Sequence, residues 1–220
     1  MPKPTIIVFT TSYYPFIGGA EIAIQEVGRR LRARFDFVVL TARMRRDLPR
    51  REERPEGRIV RLGFGNAFDK WLLPICGFLW FALRRPRAIL WGVDIGQGAL
   101  AAALIKFFFR RTPFTLTIQY GGGLERLRNG RHGFIAAGFR FMLSRADAVT
   151  AISTHLASMA HAYGYKKGIG VIPNGVDVQK FKIQKSKVQV KSLCQRRIRL
   201  RRKKLSSACR VWFRKTELTF

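Results

Sequence analysis

Thr5-Ile6-Ile7-Val8-Phe9-Thr10, then a loop from Ser12 to Gly19, then Ala20, Ile24, Val27 and Leu31 at helical spacing: this opening decides the fold. The first run is apolar and rich in β-branched residues, the composition of a buried strand. Arg29, Arg30 and Arg32 fall off the apolar stripe of the third segment, which therefore reads as a helix with one face against the core. Glycine and proline in the loop between them mark a tight strand-to-helix connection.

The same alternation continues along the chain. Phe35 to Thr41, Ile59 to Leu62, Ala88 to Leu90, Phe114 to Gln119 and Ala148 to Ile152 read as further strands, and Gly170-Val171-Ile172 is strand-like. Leu100 to Phe109 and Thr154 to Tyr163 read as helices, the second with Ser153 as N-cap and Gly164 as its stop. Arg43 to Arg58 is highly charged, holds Pro49 and Pro55, and is expected to be an exposed loop. Strands alternating with helices imply an α/β domain built on a doubly wound parallel sheet. No internal repeat is present.

Trp71 to Leu83 is apolar for thirteen residues, contains Pro74 and Gly77, and is bracketed by Lys70 and Arg84-Arg85. A spanning helix needs about 20 apolar residues. The segment fits either a core helix or an interfacial helix seated among lipid headgroups.

A chain of 220 residues with 47% hydrophobic content can bury the core of one sizeable domain. The net charge of +29 is unevenly placed. Residues 1–180 hold 28 Lys and Arg against 12 Asp and Glu, whereas residues 181–220 hold 14 basic residues and one acid, Glu217. Such charge attracts nucleic acid or an anionic membrane face. Outside the tail it is spread over loops and helix faces, so nucleic acid is not expected as a partner of the domain. Cys76, Cys194 and Cys209 have no metal-ligand spacing and leave an odd thiol, which suits a reducing, cytoplasmic compartment. The apolar run that follows Met1-Pro2-Lys3-Pro4 is too short for a signal peptide.

In an open α/β sheet, ligands bind beyond the carboxyl ends of the strands. Gly18-Gly19 stands there, between the first strand and the first helix, where bare N–H groups and a helix N-terminus can take a diphosphate. Neither a G-x-G-x-x-G dinucleotide fingerprint nor a Walker A sequence occurs.

Three motifs carry a resemblance. Tyr13-Tyr14-Pro15-Phe16-Ile17-Gly18-Gly19-Ala20-Glu21 resembles the first loop of the family 4 glycosyltransferases. Ser144 to Ser153 resembles the strand before the last helix of their N-terminal domain. Val171-Ile172-Pro173-Asn174-Gly175-Val176-Asp177, with Phe181 beyond it, resembles their crossover into a second domain. The resemblance implies residues 1–181 as the acceptor-side, Rossmann-like N-terminal half of a retaining, metal-independent GT-B enzyme. It implies Gly18 and Gly19 in the donor-phosphate loop, and Glu21, Gln119, Tyr120 and Gly121 on the acceptor side. Pro173, Asn174, Gly175 and Asp177 would form the interdomain crossover. Gln119-Tyr120-Gly121 stands where the family commonly has a His-Gly pair, and glutamine can still donate a hydrogen bond. His132, His155 and His161 read as ordinary loop or helix residues. No catalytic residue is assigned, no Asp-x-Asp pair is present, and neither a metal nor a cofactor is expected. The donor would be a UDP- or GDP-linked sugar and the acceptor a lipid-linked sugar or polysaccharide precursor, with peripheral contact to the inner face of the cell membrane.

Residues 182–220 lack apolar periodicity and the family's donor-domain glutamates, and are expected to be a disordered basic tail. Shifted by one frame, the codons of Cys209 to Thr219 permit Ser-Arg-Leu-Val-Pro-Lys-Asn-Gly-Val-Asp, with the valine forced by Trp212-Phe213. That string resembles the first strand and loop of the family's second domain, so the tail is either frameshift-derived or a true basic segment. On the second view the whole chain is a Rossmann-like protein that binds nucleic acid or anionic membrane through Arg196-Arg197 and Arg199 to Lys204.

Overall fold

The computed structural model of the chain describes residues 3–121 and 133–175. The chain divides into two compact units, Met1–Asn174 and Gly175–Phe220. Of the second unit only Gly175 is among the described residues, so Val176, Asp177, Phe181 and the expected tail lie outside them, as does His132.

The first unit is an eight-stranded sheet: β1 Thr5–Phe9, β2 Asp36–Ala42, β3 Arg51–Arg54, β4 Gly57–Leu62, β5 Ala88–Val93, β6 Phe114–Ile118, β7 Ala148–Ala151 and β8 Ile169–Val171. The strand order is β3-β4-β2-β1-β5-β6-β7-β8. All neighbours are parallel except β3, which pairs antiparallel with β4. The described helices are α1 Gly19–Leu31, α2 Asp69–Arg84, α3 Gln97–Phe108, α4 Phe134–Arg145 and α5 Thr154–Ala162. The doubly wound parallel sheet expected from the alternating pattern is therefore the observed architecture.

Successive residues of β1 serve opposite faces, as the two-residue period of a strand requires. Val8 joins Phe37, Val39, Ile59 and Ile24 of α1 in one core. Ile7 and Phe9 join Leu90, Leu116, Phe81, Phe139 and the alanines of α3 in the other. Ser153 caps α5 by accepting a hydrogen bond from the Leu156 N–H. On β5, β6 and β7 a polar row crosses the sheet, with Trp91 Nε1 donating to Thr117 Oγ1 at 2.8 Å and Thr117 paired with Thr150 at 2.8 Å.

Two elements depart from expectation. Arg51–Arg54, expected as exposed loop, is an edge strand. Glu52 and Glu53 pair across the hairpin with Arg61 and Arg58, and Arg54 pairs with Glu52 and Glu56, so a segment with no apolar face still forms a strand. Helix α4 was not expected at all, although Ala136, Phe139 and Leu143 at helical spacing are its buried face. The segment from Trp71 is a helix with one face packed on the core, as one of its two expected readings has it. Leu73, Gly77 and Phe81 are buried, while Ile75, Leu79 and Leu83 on the opposite side are 58%, 50% and 81% exposed.

Candidate functional site

The strand order switches sides at β1: β2 lies on one side and β5 on the other, all three parallel. The loops beyond the carboxyl ends of β1 and β5 therefore frame a crevice, the usual ligand position in such a sheet. The loop after β1 is held tightly. Tyr13 is buried and its hydroxyl donates to Glu56 Oε1 at 3.0 Å. Burial first, then the Glu56 charge, push the Tyr13 phenol far above its ordinary value. Arg61, buried in β4, donates to the Tyr14 carbonyl at 2.8 Å and to Glu52 Oε2 at 2.7 Å. Arg54 lies over the Tyr14 ring at 3.8 Å. The charges of the β3–β4 hairpin thus brace the first loop from beneath, and Arg54 and Arg61 are not available as a surface patch.

Gly18 and Gly19 fall at the start of α1, both exposed. The Gly18 N–H is already taken: it donates to Glu21 Oε2 at 2.9 Å, while Ser12 Oγ donates to Glu21 Oε1 at 2.8 Å. Glu21, an acceptor-side candidate in the sequence, is buried and closes the first turn of its own helix. This is the carboxylate half of a capping arrangement, favoured by the positive helix N-terminus. Gly19 is open, with no atom within 4 Å of where a Cβ would stand.

A cleft of about 810 Å³ opens beside these loops. Lys70, Trp71 and Pro74 of α2 form one wall, and Phe134, Ile135, Gly138 and Met142 of α4 another. Thr11, the loop Asp94 to Gln97, Tyr120 and Gly121 also line it. Its base depends on close approach of backbones. A Cβ at Gly98 would meet the Thr10 backbone at 2.6 Å, so only glycine lets the first turn of α3 pack on the end of β1. The Gly98 N–H donates to Thr11 Oγ1 at 3.2 Å and secures that contact.

Asp94 carries an unsatisfied oxygen beside this cleft. Its Oδ1 is buried without a hydrogen-bond partner. Its backbone has φ +69°, a left-handed conformation that non-glycine residues seldom adopt. Burial pushes its carboxyl upward; the Ile95 N–H works against this, and the charge of Glu21 adds to it. Sequence reasoning missed this residue. The rule that ligands lie beyond the strand ends applies to the Asp94-Ile95-Gly96-Gln97 loop as much as to Gly18-Gly19, and that signal was available.

The expected site residues are only partly assembled. Tyr120 and Gly121 line the cleft, whereas Gly18, Gly19, Glu21 and Gln119 are not among its lining residues. Gln119 Oε1 instead accepts from Asn174 Nδ2 at 3.2 Å. Pro173 and Asn174 follow β8, whose pairing continues through Ile172 N–H to the Ala151 carbonyl at 2.8 Å. Gly175 is exposed and Asp177 is outside the described residues. His161 is bonded through Nδ1 to the Tyr165 carbonyl at 2.7 Å and His155 is exposed on α5, so neither faces the cleft. Among the described residues no group of three or more His, Cys, Asp or Glu could hold a metal ion.

The sequence profile described as Glycosyltransferase Family 4 matches residues 17–180, which takes in Gly18-Gly19 and Pro173-Asn174-Gly175. The chain belongs to glycosyltransferase family 4. Sucrose-phosphate synthase from Thermosynechococcus elongatus superposes with TM-score 0.60 at 13% identity, over 81% of this chain and 49% of that one. A second sucrose-phosphate synthase chain from the same organism superposes with TM-score 0.58 at 13% identity, over 87% of this chain and 99% of that one. At such identity the likeness concerns the fold: the family 4 domain here is the Rossmann-like N-terminal half of a GT-B architecture. It spans about half of the first synthase chain. No curated protein sequence matches it.

Proposed function

We propose that this domain is the acceptor-side half of a retaining, metal-independent glycosyltransferase that moves a hexose from a UDP- or GDP-sugar to a hydroxyl of a lipid-linked or polysaccharide acceptor. The observation that carries this reading is the 810 Å³ cleft beyond the carboxyl ends of β1, β5 and β6, within a family 4 N-terminal domain. Apolar walls with a few polar groups are the usual make-up of a small-molecule site. Gly19, open at the start of α1, is suited to approach by a donor phosphate.

Peripheral contact with an anionic membrane at its cytoplasmic face belongs to the same reading. Ile75, Leu79 and Leu83 make an exposed apolar stripe on α2, next to exposed Arg84 and Arg85. Exposed apolar side chains flanked by arginine suit an interfacial position. Among the described residues no helix is long and apolar enough to cross a membrane.

Transition-state contacts in a two-domain transferase come from both halves of the cleft. A chain with only the acceptor side should bind nucleotide sugar weakly and turn over undetectably. Calorimetry with UDP- and GDP-hexoses should give no Kd tighter than about millimolar, a binding free energy near −4 kcal/mol. Hexose transfer by the 220-residue chain alone would overturn the half-enzyme reading.

A further inference from the structure

We propose that Asp94 and Trp71 form a subsite for an uncharged sugar ring of the acceptor, with the Asp94 carboxyl receiving ring hydroxyls and Trp71 facing the ring's C–H surface. This inference rests on the acceptor-side reading of the cleft and gives it a ligand class: a neutral polyol in preference to a phosphate or carboxylate.

The cleft itself supplies the argument. Lys70 and Asp94 are the two charged side chains among its lining residues. Lys70 lies over the Trp71 ring, 5.7 Å from its centroid, on the α2 wall. Asp94 stands in the loop between β5 and α3, with Oδ1 buried and unpartnered. A buried acceptor without a donor is costly, and a fold gains nothing from keeping one. The left-handed backbone at Asp94 adds a second unfavourable feature at the same residue. Both are explained if the carboxyl is held ready for a donor that arrives with the ligand. A hydroxyl is such a donor.

An anionic group is not. The Glu21 charge already acts on Asp94 unfavourably, and a third negative charge would meet both. The rest of the lining is uncharged: Trp71, Pro74, Ile95 and Met142 give apolar surface for the C–H faces of a ring, and Thr11 and Gln97 are polar without charge.

The test uses the full 220-residue chain and follows the Trp71 indole resonance by NMR during titration, which reads the cleft and not the basic tail. The probes are octyl β-D-glucopyranoside and octyl phosphate, both below their micelle concentrations. Wild type should bind the glucoside at this site at least tenfold more tightly than the phosphate. Asp94→Gly, which suits the left-handed backbone and removes the carboxyl, should weaken the glucoside about tenfold to a hundredfold. Asp94→Asn should fall between, should gain affinity for the phosphate, and should melt no lower than wild type, an outcome foreign to a structural carboxylate. If Asp94→Gly fails to fold, Asp94→Asn alone decides. An unchanged glucoside Kd in the Asp94 variants, or a wild-type preference for the phosphate, overturns the subsite while leaving the acceptor cleft standing. No response of Trp71 to either probe in wild type overturns both.

Discussion

Asp69 offers the sharpest test of how the cleft wall is built. It is fully buried at the start of α2, immediately before Lys70 and Trp71. Its carboxylate accepts from the N–H groups of Phe64 at 2.9 Å, Gly65 at 2.6 Å and Asn66 at 3.1 Å. Gly63 leaves room for it, since a Cβ there would stand 2.3 Å from the Asp69 Cγ. Asp69→Ala strands these three close donors. The Gly65 donor is buried and forfeits about 2 kcal/mol; the other two, partly reachable by water, forfeit about 0.5–1 kcal/mol each. The total is about 3–4 kcal/mol, or about 6–16 °C in Tm for a chain of this size. Burial by itself would raise the Asp69 carboxyl, but the N–H groups of Phe64, Gly65, Asn66 and Met44 outweigh it and hold it below its ordinary value. A depressed folded-state value means stability that is present above the unfolded carboxyl range near pH 3.9 and is lost as pH falls through the folded value. Urea denaturation of wild type and Asp69→Ala at pH 7 and pH 3 should therefore show a gap that narrows at the lower pH. A gap below about 1 kcal/mol at pH 7, or one that is the same at both pH values, would refute the reasoning.

Other perturbations have equally definite outcomes. Arg61→Leu removes the buried guanidinium that joins Glu52, the Pro49 carbonyl and the Tyr14 carbonyl, and should cost about 2–4 kcal/mol in urea denaturation; a loss under about 0.5 kcal/mol would mean the hairpin does not brace the first loop. At Asp94 the sign is opposite to that at Asp69: burial raises the carboxyl, so its stability contribution is full below the unfolded value and falls away as pH rises. Asp94→Asn should melt higher than wild type at pH 7 and equal to it near pH 3.5, and a variant that melts lower at pH 7 would contradict an unpartnered carboxylate. Leu79→Ser with Leu83→Ser, in a chain ending at Phe181, should reduce salt-sensitive binding to anionic liposomes at least tenfold, because each side chain can bury about 1.5 kcal/mol or more of apolar surface; equal binding by the double variant would remove this face of α2 from the contact.

Local pattern was enough to identify what is periodic. The β-branched run from Thr5, the stripe of Ala20, Ile24, Val27 and Leu31, and the Ser153 cap each follow from neighbouring residues, and the parallel sheet follows from their alternation. The family resemblance was legible for the same reason, being carried by contiguous motifs. What tertiary structure alone decided was pairing across long sequence distance. β3 exists because Glu52 meets Arg54 and the buried Arg61, and no apolar periodicity announces a strand held by charge. Glu21 was visible as part of a motif, but only folding turned it back onto Gly18 and Ser12 and away from the cleft lining. Asp94 meets Thr11, Trp71 and Tyr120 around one cleft only when β1, α2, β5 and β6 come together. Its missing hydrogen bond is a property of that assembled surface. Sequence sets local conformational preference and apolar period, whereas burial and the satisfaction of a polar group depend on what the rest of the chain brings to it.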